Sequence, residues 1–217
     1  MVAPQTTPTQ SSQDLPIVRS MLLRYSIEIV GTGITTDEAV TKTHSIRPAT
    51  DADAPAIADI YNYYVTDSVV TFEETPVATE EIARRISAVQ LTGLPWLVAH
   101  EDDQIVGYAY ATPWKERIGY RFSVETTIYL AQGLSGRGIG TKLYAELFRL
   151  LERGGIKSAI GGIALPNDAS VGLHEKMGMK KVAEFERVGV KFGRWINVGY
   201  WQRSFETSNG ESEPPLP

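Results

Sequence analysis

The chain has 217 residues, no cysteine and a formal net charge of −5. This length fits one domain of about 150 to 200 residues with tails, and the charge gives no electrostatic reason to expect nucleic acid or a membrane surface as a partner. The lack of cysteine excludes disulfides, cysteine nucleophiles and thiolate metal sites, and His44, His100 and His174 lie too far apart to suggest a zinc motif. We therefore expect chemistry without a metal.

The two ends of the chain have the composition of extensions to one central domain. Residues 1–13 are rich in Thr, Pro, Gln and Ser, which bury too little apolar surface to offset the entropy of ordering. We predict a partly flexible N-terminal extension over residues 1–43 with a candidate strand at 22–30, a domain over 44–205, and a flexible tail over 206–217. Because no apolar run approaches the roughly 20 residues that span a bilayer and no signal-peptide pattern is present, we expect a cytoplasmic protein.

Hydrophobic periodicity inside the central domain predicts a mixed α/β fold, in which most strands are adjacent in sequence. A strand, a glycine-rich turn and a helix stand at its centre. In chain order we predict a strand at 45–47, a helix capped by Thr50 or Asp51, a helix from Thr79, a hairpin of strands at 96–100 and 105–112, a strand at 124–131, a helix ending at Gly154 and Gly155, a strand at 158–164, a helix at 168–177, and a closing pair of strands at 181–190 and 197–205.

The glycine-rich turn places Gly136, Gly138 and Gly140 between a predicted strand and a predicted helix. Glycine lets the backbone come close to a ligand, and the unpaired amides of a first helical turn attract anions, so a pyrophosphate would fit here. By itself the pattern is weak, because many such turns only start a helix. It lacks the ending of a Walker loop, and its position after antiparallel strands differs from that of a dinucleotide-binding fingerprint.

Several short segments in a shared order make the chain resemble the GNAT acetyltransferases, and within them the phosphinothricin and methionine sulfone (sulfoximine) N-acetyltransferases. The resemblance covers about residues 45–205. It implies acetyl-CoA as the donor and about seven mixed strands with flanking helices, opened between two central parallel strands. The segments are Ile60-Tyr61-Asn62, Thr71-Phe72-Glu73, Pro95-Trp96-Leu97-Val98-Ala99, Gly107-Tyr108-Ala109-Tyr110, Pro113-Trp114-Lys115, Val124-Glu125, Pro166-Asn167-Asp168, Leu173-His174-Glu175 and Gly189-Val190-Lys191-Phe192-Gly193-Arg194-Trp195.

The chain departs from the family at Ser135, where the acyl-CoA motif usually begins with Arg or Gln. This change removes a side-chain contact near the pyrophosphate and is expected to weaken CoA binding. The backbone amides of the turn would keep most of the site, with Arg137 as a candidate replacement for the lost charge.

The resemblance also implies contacts for donor and acceptor. The strand at 127–130 would present backbone amides to the acetyl carbonyl and the pantetheine, which polarises the thioester. Asn167 would bind the pantetheine arm, cap a helix, or do both. Basic residues before Glu125 would hold the acceptor's carboxylate, or would form only a solvated charged loop. The implied acetyl-CoA contacts are Ile128, Tyr129, Leu130, Gly136, Arg137, Gly138, Ile139, Gly140, Thr141, Asn167 and Ser170. The implied acceptor contacts are Phe72, Glu74, Lys115, Glu116, Arg117, Arg121, Thr126 and Thr127.

Two residues are the candidates for proton transfer. An amino acid's α-amine is largely protonated at pH 7, so the reaction needs a base, and the resemblance places Glu125 beside the thioester. The alternative is a structural ion pair of Glu125 with Arg121 or Arg117. The resemblance places His174 on a helix facing the CoA sulfur, where it would protonate the departing thiolate; the alternative is a buried polar residue without a catalytic role.

Together these features predict an enzyme that acetylates the amino group of a small amino-acid-like substrate by direct transfer. A protein or peptide N-acetyltransferase and a non-catalytic acyl-CoA-binding regulatory module remain alternatives. We also predict a homodimer completed near residues 190–195, because Phe192, Trp195 and Trp201 are large aromatic residues near the end of a small domain. In the other interpretation these rings only cover the open edge of the sheet.

Overall fold

The computed structural model describes residues 44–205, and its elements follow the predicted order with small shifts at their ends. Two short 3-10 turns, at Asp51–Asp53 and Ile118–Tyr120, complete the described part of the chain. The strands are β1 (Ser45–Pro48), β2 (Trp96–Glu101), β3 (Gln104–Pro113), β4 (Ser123–Leu130), β5 (Ser158–Leu165), β6 (Lys180–Lys191) and β7 (Arg194–Ser204). The helices are α1 (Ala54–Asp67), α2 (Thr79–Leu91), α3 (Ile139–Arg153) and α4 (Asp168–Lys176).

Helix α1 begins later than its capping residues suggest, because a 3-10 turn comes first. The Asp53 carboxylate accepts a hydrogen bond from the Thr50 amide at 2.8 Å and from the Arg47 guanidinium at 2.7 Å. These bonds hold the turn against the end of β1. The first helix is therefore fixed to the sheet at its N-terminus.

The strands form one sheet in the order β1-β2-β3-β4-β5-β7-β6. All neighbours are antiparallel except β4 and β5, which pair in parallel only between Ser123–Glu125 and Ser158–Ile160. Beyond Glu125 and Ile160 the two strands diverge, and this divergence opens a gap at the centre of the sheet. The mixed α/β fold and the opening between two central parallel strands are thus confirmed.

Helices cover both faces of the sheet, and alternation along the strands divides the core between them. Leu97 and Ala99 of β2 pack with α3, whose apolar stripe includes Leu143, Leu147 and Leu151. The intervening Trp96 and Val98 pack instead with α1 and α2. Each helix layer buries its apolar side against one face of the sheet, which leaves the central gap accessible from the end.

The edge strand β6 is irregular and carries apolar side chains in solvent. Its pairing with β7 shifts register between Phe185 and Gly189, and Arg187 within this bulge has a φ of 52°. Phe192 and Trp195, at the turn into β7, are 56% and 58% exposed. Trp201 differs from them, because it is buried in the core beneath α3 and α4.

Some predictions concern parts of the chain that the structure does not describe. The N-terminal extension, its candidate strand at 22–30 and the C-terminal tail from 206 onward lie outside residues 44–205. Among the described residues, no helix is both long and apolar enough to cross a membrane.

Candidate active site

A cleft of about 1130 Å³ begins where β4 and β5 diverge. The end of β4, the N-terminal turn of α3, helix α4 and the bulged part of β6 form its walls. It brings together many residues that the sequence analysis predicted for the site. These are Phe72, Glu125, Thr126, Thr127, Ile128, Tyr129, Leu130, Gly136, Gly138, Gly140, Thr141, Asn167, Ser170 and His174.

Glu125 is the last residue of β4 that pairs with β5, and its half-buried side chain faces the cleft. Gly162 on β5 leaves room for it, since a Cβ there would lie 3.4 Å from Glu125 Oε1 and 3.4 Å from the Tyr200 ring. Burial raises the pKa of Glu125, and the positive charge of Lys115 opposes this rise. Within residues 44–205 it forms no ion pair with Arg117 or Arg121. A carboxylate that is partly desolvated and has no ion-pair partner among the described residues is suited to take up a proton.

The amides of β4 beyond Glu125 point into the gap. The Ala131 amide donates to Val106 O at 3.0 Å, and the Trp114 amide donates to Ser123 O at 3.1 Å, so the odd-numbered residues of β4 pair with β3. Backbone polar groups alternate in direction along an antiparallel strand. The amides of Ile128 and Leu130 therefore face the side from which β5 has diverged.

The glycine-rich turn leaves its ligand side clear of side chains. Gly136 and Gly138 have φ values of 81° and 80°, and a Cβ at either position would meet no other atom within 4 Å. Gly138 immediately precedes α3, so the first amides of that helix open onto the cleft. The empty space, the left-handed backbone and the helix N-terminus fit a pyrophosphate.

Two side chains of this turn point elsewhere. Arg137 forms an ion pair with Glu101 of β2 at 2.9 Å, and Ile139 is buried in the core. Neither lines the cleft, so their side chains are not placed to contact a ligand there. The positive charge expected to compensate for Ser135 is thus engaged with a carboxylate.

Helix α4 begins with a side-chain cap. The Asn167 side chain accepts a hydrogen bond from the Ser170 amide at 3.1 Å, which is the geometry of an N-cap. Asn167 and Ser170 both line the cleft. Capping therefore positions Asn167 at the cleft wall, and the two interpretations of this residue are compatible.

His174 lies in the floor of the cleft and is buried, only 3% exposed. Its Nδ1 lies 2.7 Å from the Ser170 carbonyl oxygen, and its Nε2 lies 3.1 Å from the Tyr144 hydroxyl. Burial lowers the pKa of His174, although the bond to Ser170 raises it in part. The cationic form that would donate a proton is thus disfavoured.

Apolar side chains form part of the wall of the same cleft as Glu125. Phe72, Val188 and Val190 line it, and each is substantially exposed. The Phe72 ring lies against Gly189, where a Cβ would overlap the ring. The bulge in β6 produces this arrangement by directing consecutive residues toward the cleft.

The segment that carries Phe72 is held by a buried lysine. Lys191 is fully buried, and its Nζ donates to Thr71 O at 2.7 Å and to Tyr64 O at 3.2 Å. Tyr61 adds a hydrogen bond of 2.8 Å to the Thr71 hydroxyl. Burial lowers the pKa of Lys191, whereas the nearby Glu74 and Glu73 raise it. Glu74 itself does not line the cleft.

The basic residues predicted for the acceptor lie beside the cleft rather than inside it. Lys115, Glu116 and Arg117 line a shallow pocket of about 710 Å³ that also includes Trp114. The Lys115 ammonium lies 4.6 Å from the Trp114 ring centre, and the edge of Trp114 packs on Tyr200 of the main cleft. Arg121 lies in neither pocket and donates to Ile118 O at 3.2 Å.

Comparison with known proteins agrees with this geometry. Residues 46–198 match the family model described as an acetyltransferase (GNAT) domain. The chain belongs to the GNAT acetyltransferase family. It is 41% identical over 172 residues to a phosphinothricin N-acetyltransferase of Streptomyces viridochromogenes, a match that covers 79% of this chain and 91% of that protein.

Two further relatives extend the comparison of this GNAT enzyme. An L-methionine sulfoximine/L-methionine sulfone acetyltransferase of Salmonella typhimurium is 35% identical over 158 residues, which covers 73% of this chain and 92% of that protein. A Sinorhizobium meliloti GNAT phosphinothricin acetyltransferase, solved in complex with acetyl-CoA, has a TM-score of 0.75 at 34% identity. That match covers 80% of this chain and 94% of the other.

Sequence reasoning missed several residues of this acetyltransferase's cleft. Tyr144, Val188 and Tyr200 line it, and Lys191 anchors its Phe72 segment. Tyr144 looks like one more core position of the α3 stripe, and Lys191 looks like a solvated charge at the end of a strand. Only the unusual position of a lysine in an otherwise apolar run gave a signal. Within residues 44–205, no group of three or more His, Asp or Glu side chains could hold a metal ion.

Proposed function

We propose that the protein transfers the acetyl group of acetyl-CoA to the α-amino group of a small amino-acid-like substrate, such as phosphinothricin, methionine sulfoximine, methionine sulfone or a related amino acid. The observation that carries the proposal is the position of Glu125. It stands at the point where β4 and β5 part, in the same cleft as the glycine-rich turn. One cleft thus offers an anion site, strand amides and a base.

The donor side of the cleft follows from the backbone. The turn at Gly136 and Gly138 and the first amides of α3 hold the pyrophosphate of acetyl-CoA. The amides of Ile128 and Leu130 donate to the pantetheine and the thioester carbonyl. Donors fixed in a strand stabilise the negative charge that develops on the carbonyl oxygen, because they need no reorganisation during the reaction.

Glu125 is the base in this proposal. It takes a proton from the acceptor's ammonium group, directly or through a water molecule, and leaves a neutral amine that attacks the thioester carbon. Burial moves the pKa of Glu125 upward, toward neutral pH, and a general base is most effective when its pKa lies near the working pH. The departing thiolate takes the further proton that the attacking nitrogen loses when it becomes an amide, directly or through a water molecule. His174 was predicted to supply it, but its ring nitrogens are engaged inside the protein.

The acceptor approaches from the side of Phe72 and the β6 bulge. Phe72, Val188 and Val190 favour an aliphatic side chain, as in the methionine derivatives on which the Salmonella relative is named to act. Lys115 and Arg117 hold the acceptor's carboxylate at the neighbouring shallow pocket, because a guanidinium matches a carboxylate in shape and charge.

We further propose that the enzyme is a cytoplasmic homodimer. The exposed aromatic side chains Phe192 and Trp195 support the dimer, because they adjoin the part of β6 that lines the cleft. Aromatic residues are enriched at protein interfaces. A partner packed on this edge would complete the acceptor end of each cleft.

The decisive experiment measures CoA release with a thiol reagent across a panel of acceptors. The protein has no cysteine, so every thiol detected comes from CoA. The panel contains phosphinothricin, methionine sulfoximine, methionine sulfone and the common amino acids, with their N-acetylated forms as controls and short peptides as alternative acceptors. We expect release with one or more free amino acids and none with the N-acetylated forms.

Two other results would reject the proposal. Release with peptides but not with free amino acids would identify a peptide N-acetyltransferase. Binding of acetyl-CoA without release for any acceptor would identify a non-catalytic acyl-CoA-binding module.

A further inference from the structure

A chain of buried polar side chains crosses the floor of the cleft. Tyr144 of α3 is fully buried, and His174 of α4 and Thr126 of β4 are each only 3% exposed. The Tyr144 hydroxyl lies 3.1 Å from His174 Nε2. The chain ends where His174 Nδ1 meets Ser170 O at 2.7 Å. Buried polar groups in such a position need a structural or functional reason.

The hydrogen bonds assign the proton on the histidine ring. A carbonyl oxygen can only accept, so Nδ1 donates to Ser170 O and carries the proton. In the neutral ring Nε2 is then an acceptor, and the Tyr144 hydroxyl donates to it. The ring also lies directly on Gly161 of β5, where a Cβ would be 2.6 Å from Nε2. His174 is therefore held in one orientation, with both nitrogens used inside the protein.

The position of this chain relates it to the reaction. Thr126 follows Glu125, the last residue of β4 that pairs with β5, and its hydroxyl donates to Ile160 O at 3.3 Å. Helix α3 begins at the glycine-rich turn and α4 begins at Asn167, so the bond between Tyr144 and His174 ties together both helices that border the donor site. The bond between Tyr144 and His174 and the packing of the His174 ring on Gly161 thus join α3, α4 and β5 at the point where the strands part.

We propose that Tyr144 and His174 form a positioning pair for acetyl transfer, in which neutral His174 accepts a hydrogen bond from Tyr144, holds α3 and α4 on Gly161 of β5 and so fixes the point where β4 and β5 diverge. This inference rests on the proposed acetyl transfer. It makes Tyr144 a further positioning residue, and it gives His174 a role through Tyr144 rather than as the proton donor to the thiolate. The amides of Ile128 and Leu130 keep their alignment because the position at which β4 leaves β5 is fixed.

Substitutions that keep or remove the acceptor at Nε2 separate the two roles of His174. His174→Gln can place an amide oxygen near Nε2 and accept from Tyr144, but it cannot act as an acid at neutral pH. His174→Leu removes the acceptor. The pair predicts that Tyr144→Phe and His174→Leu each lower kcat about 10-fold, the scale of one buried hydrogen bond, and that His174→Gln retains most of kcat.

The KM for acetyl-CoA should change little in all three variants, because the pyrophosphate turn is intact. The double variant Tyr144→Phe/His174→Leu should be no slower than either single variant, since both remove the same contact. Tyr108→Phe is the control, because it removes a hydroxyl from an equally buried tyrosine that does not line the cleft. Equal and severe loss of kcat in His174→Gln and His174→Leu, with an unchanged rate in Tyr144→Phe, would overturn the proposal and identify His174 as the acid.

A spectroscopic measurement tests the pair without depending on turnover. Nitrogen-15 NMR of the histidine rings should show His174 protonated only at Nδ1 at pH 6.5, where an ordinary histidine is about half protonated, with its signal assigned by its loss in His174→Gln. Titration of His174 near its ordinary pKa, or a proton on Nε2, would overturn the pair. If the unmodified protein releases no CoA with any acceptor, the proposed function fails, while this spectrum still decides whether the pair exists.

Discussion

Stability and catalysis place opposing requirements on Glu125. Its carboxylate is partly removed from water where the strands part, and the charge of Lys115 offsets part of the cost. A group whose pKa is higher in the folded state than in the unfolded state binds its proton more tightly when folded. The stability that it contributes is complete below the unfolded pKa and is lost as pH rises through the folded pKa.

We therefore predict that Glu125→Gln slows acetyl transfer but raises the melting temperature at pH 7. The loss of the base should lower kcat by about 10²-fold or more, and the neutral amide avoids the cost of a buried charge. The difference in melting temperature should vanish near pH 4, where the wild-type carboxyl is also neutral. Kinetics and thermal unfolding across pH measure both effects.

Glu152→Gln is the matched control for this prediction, because Glu152 is an exposed carboxylate on α3 outside the cleft. It should change neither rate nor stability noticeably. A Glu125→Gln enzyme with the wild-type rate would show that another group takes the proton from the amine.

Lys115 and Arg117 allow a second prediction at the level of single residues. If they hold the acceptor's carboxylate, the variant Lys115→Ala/Arg117→Ala should raise the acceptor's KM about 10-fold or more and leave the KM for acetyl-CoA nearly unchanged. Steady-state kinetics with each substrate varied in turn provide the measurement. Arg153→Ala/Lys180→Ala removes the same charge from exposed positions outside both pockets. A rise in the KM for acetyl-CoA as well would assign the basic residues to folding or to the donor site.

At the level of elements, the two ends of α3 provide a matched pair of glycines. Gly138 at the start and Gly155 just past the end have φ values of 80° and 83°, and a Cβ at either position has open space around it. Alanine at either position should cost roughly 1 kcal/mol of stability, because a left-handed backbone disfavours side chains. Only Gly138 lies in the cleft.

We expect acetyl-CoA to raise the melting temperature of the unmodified protein, with about 2.7 kcal/mol of stabilisation at a hundredfold excess over Kd. Gly138→Ala should lose most of this shift, because its methyl group occupies the approach to the pyrophosphate. Gly155→Ala should keep the shift while being equally destabilised. Thermal unfolding with and without acetyl-CoA makes the comparison. An equal shift in melting temperature in both variants would show that the turn is not part of the donor site.

The contact between the Phe72 segment and β6 is the second feature at this scale. A Cβ at Gly189 would overlap the Phe72 ring, and Lys191 prevents the backbone of the segment from moving away. Gly189→Ala should therefore push the ring into the acceptor end of the cleft and raise the acceptor's KM several-fold, with little change in the KM for acetyl-CoA.

The same substitution in a Phe72→Ala background is the internal control. With the ring removed, the added methyl group meets no obstacle, so Gly189→Ala should have little further effect on the acceptor's KM. Additive effects of the two substitutions in this kinetic cycle would contradict the proposed contact.

At the level of the whole molecule, the exposed side chains of Phe192 and Trp195 predict the oligomeric state. We expect light scattering to give the mass of a dimer for the unmodified protein, and Trp195→Ala to shift it toward monomer and slow acetyl transfer together. Leu91→Ala is the control, because Leu91 is an 81% exposed apolar residue at the end of α2. A monomer mass for the unmodified protein at working concentration would refute both the dimer and a shared acceptor site.

Local patterns were sufficient to predict the order of the elements and a glycine-rich turn suited to an anion. The apolar runs of β2 and β3, the apolar stripe of α3 and the glycines before it act over a few residues, and such signals survive in any packing of the same chain. The resemblance to the GNAT family added Glu125 and its place at the opening of the sheet. The acetyltransferase family, the mixed sheet and its central gap could thus be derived without coordinates.

Only the tertiary structure decided the contacts between residues that lie far apart in the chain. Lys191 bonds to the Tyr64 carbonyl 127 positions away, and Tyr144 meets His174 across 30 positions. Arg137 pairs with Glu101 rather than facing the ligand. The sequence by itself determined only which element each of these residues belongs to or adjoins. Their partners depend on how the sheet, the helices and the Phe72 segment pack together, because a long side chain reaches whichever polar group the packed elements bring near.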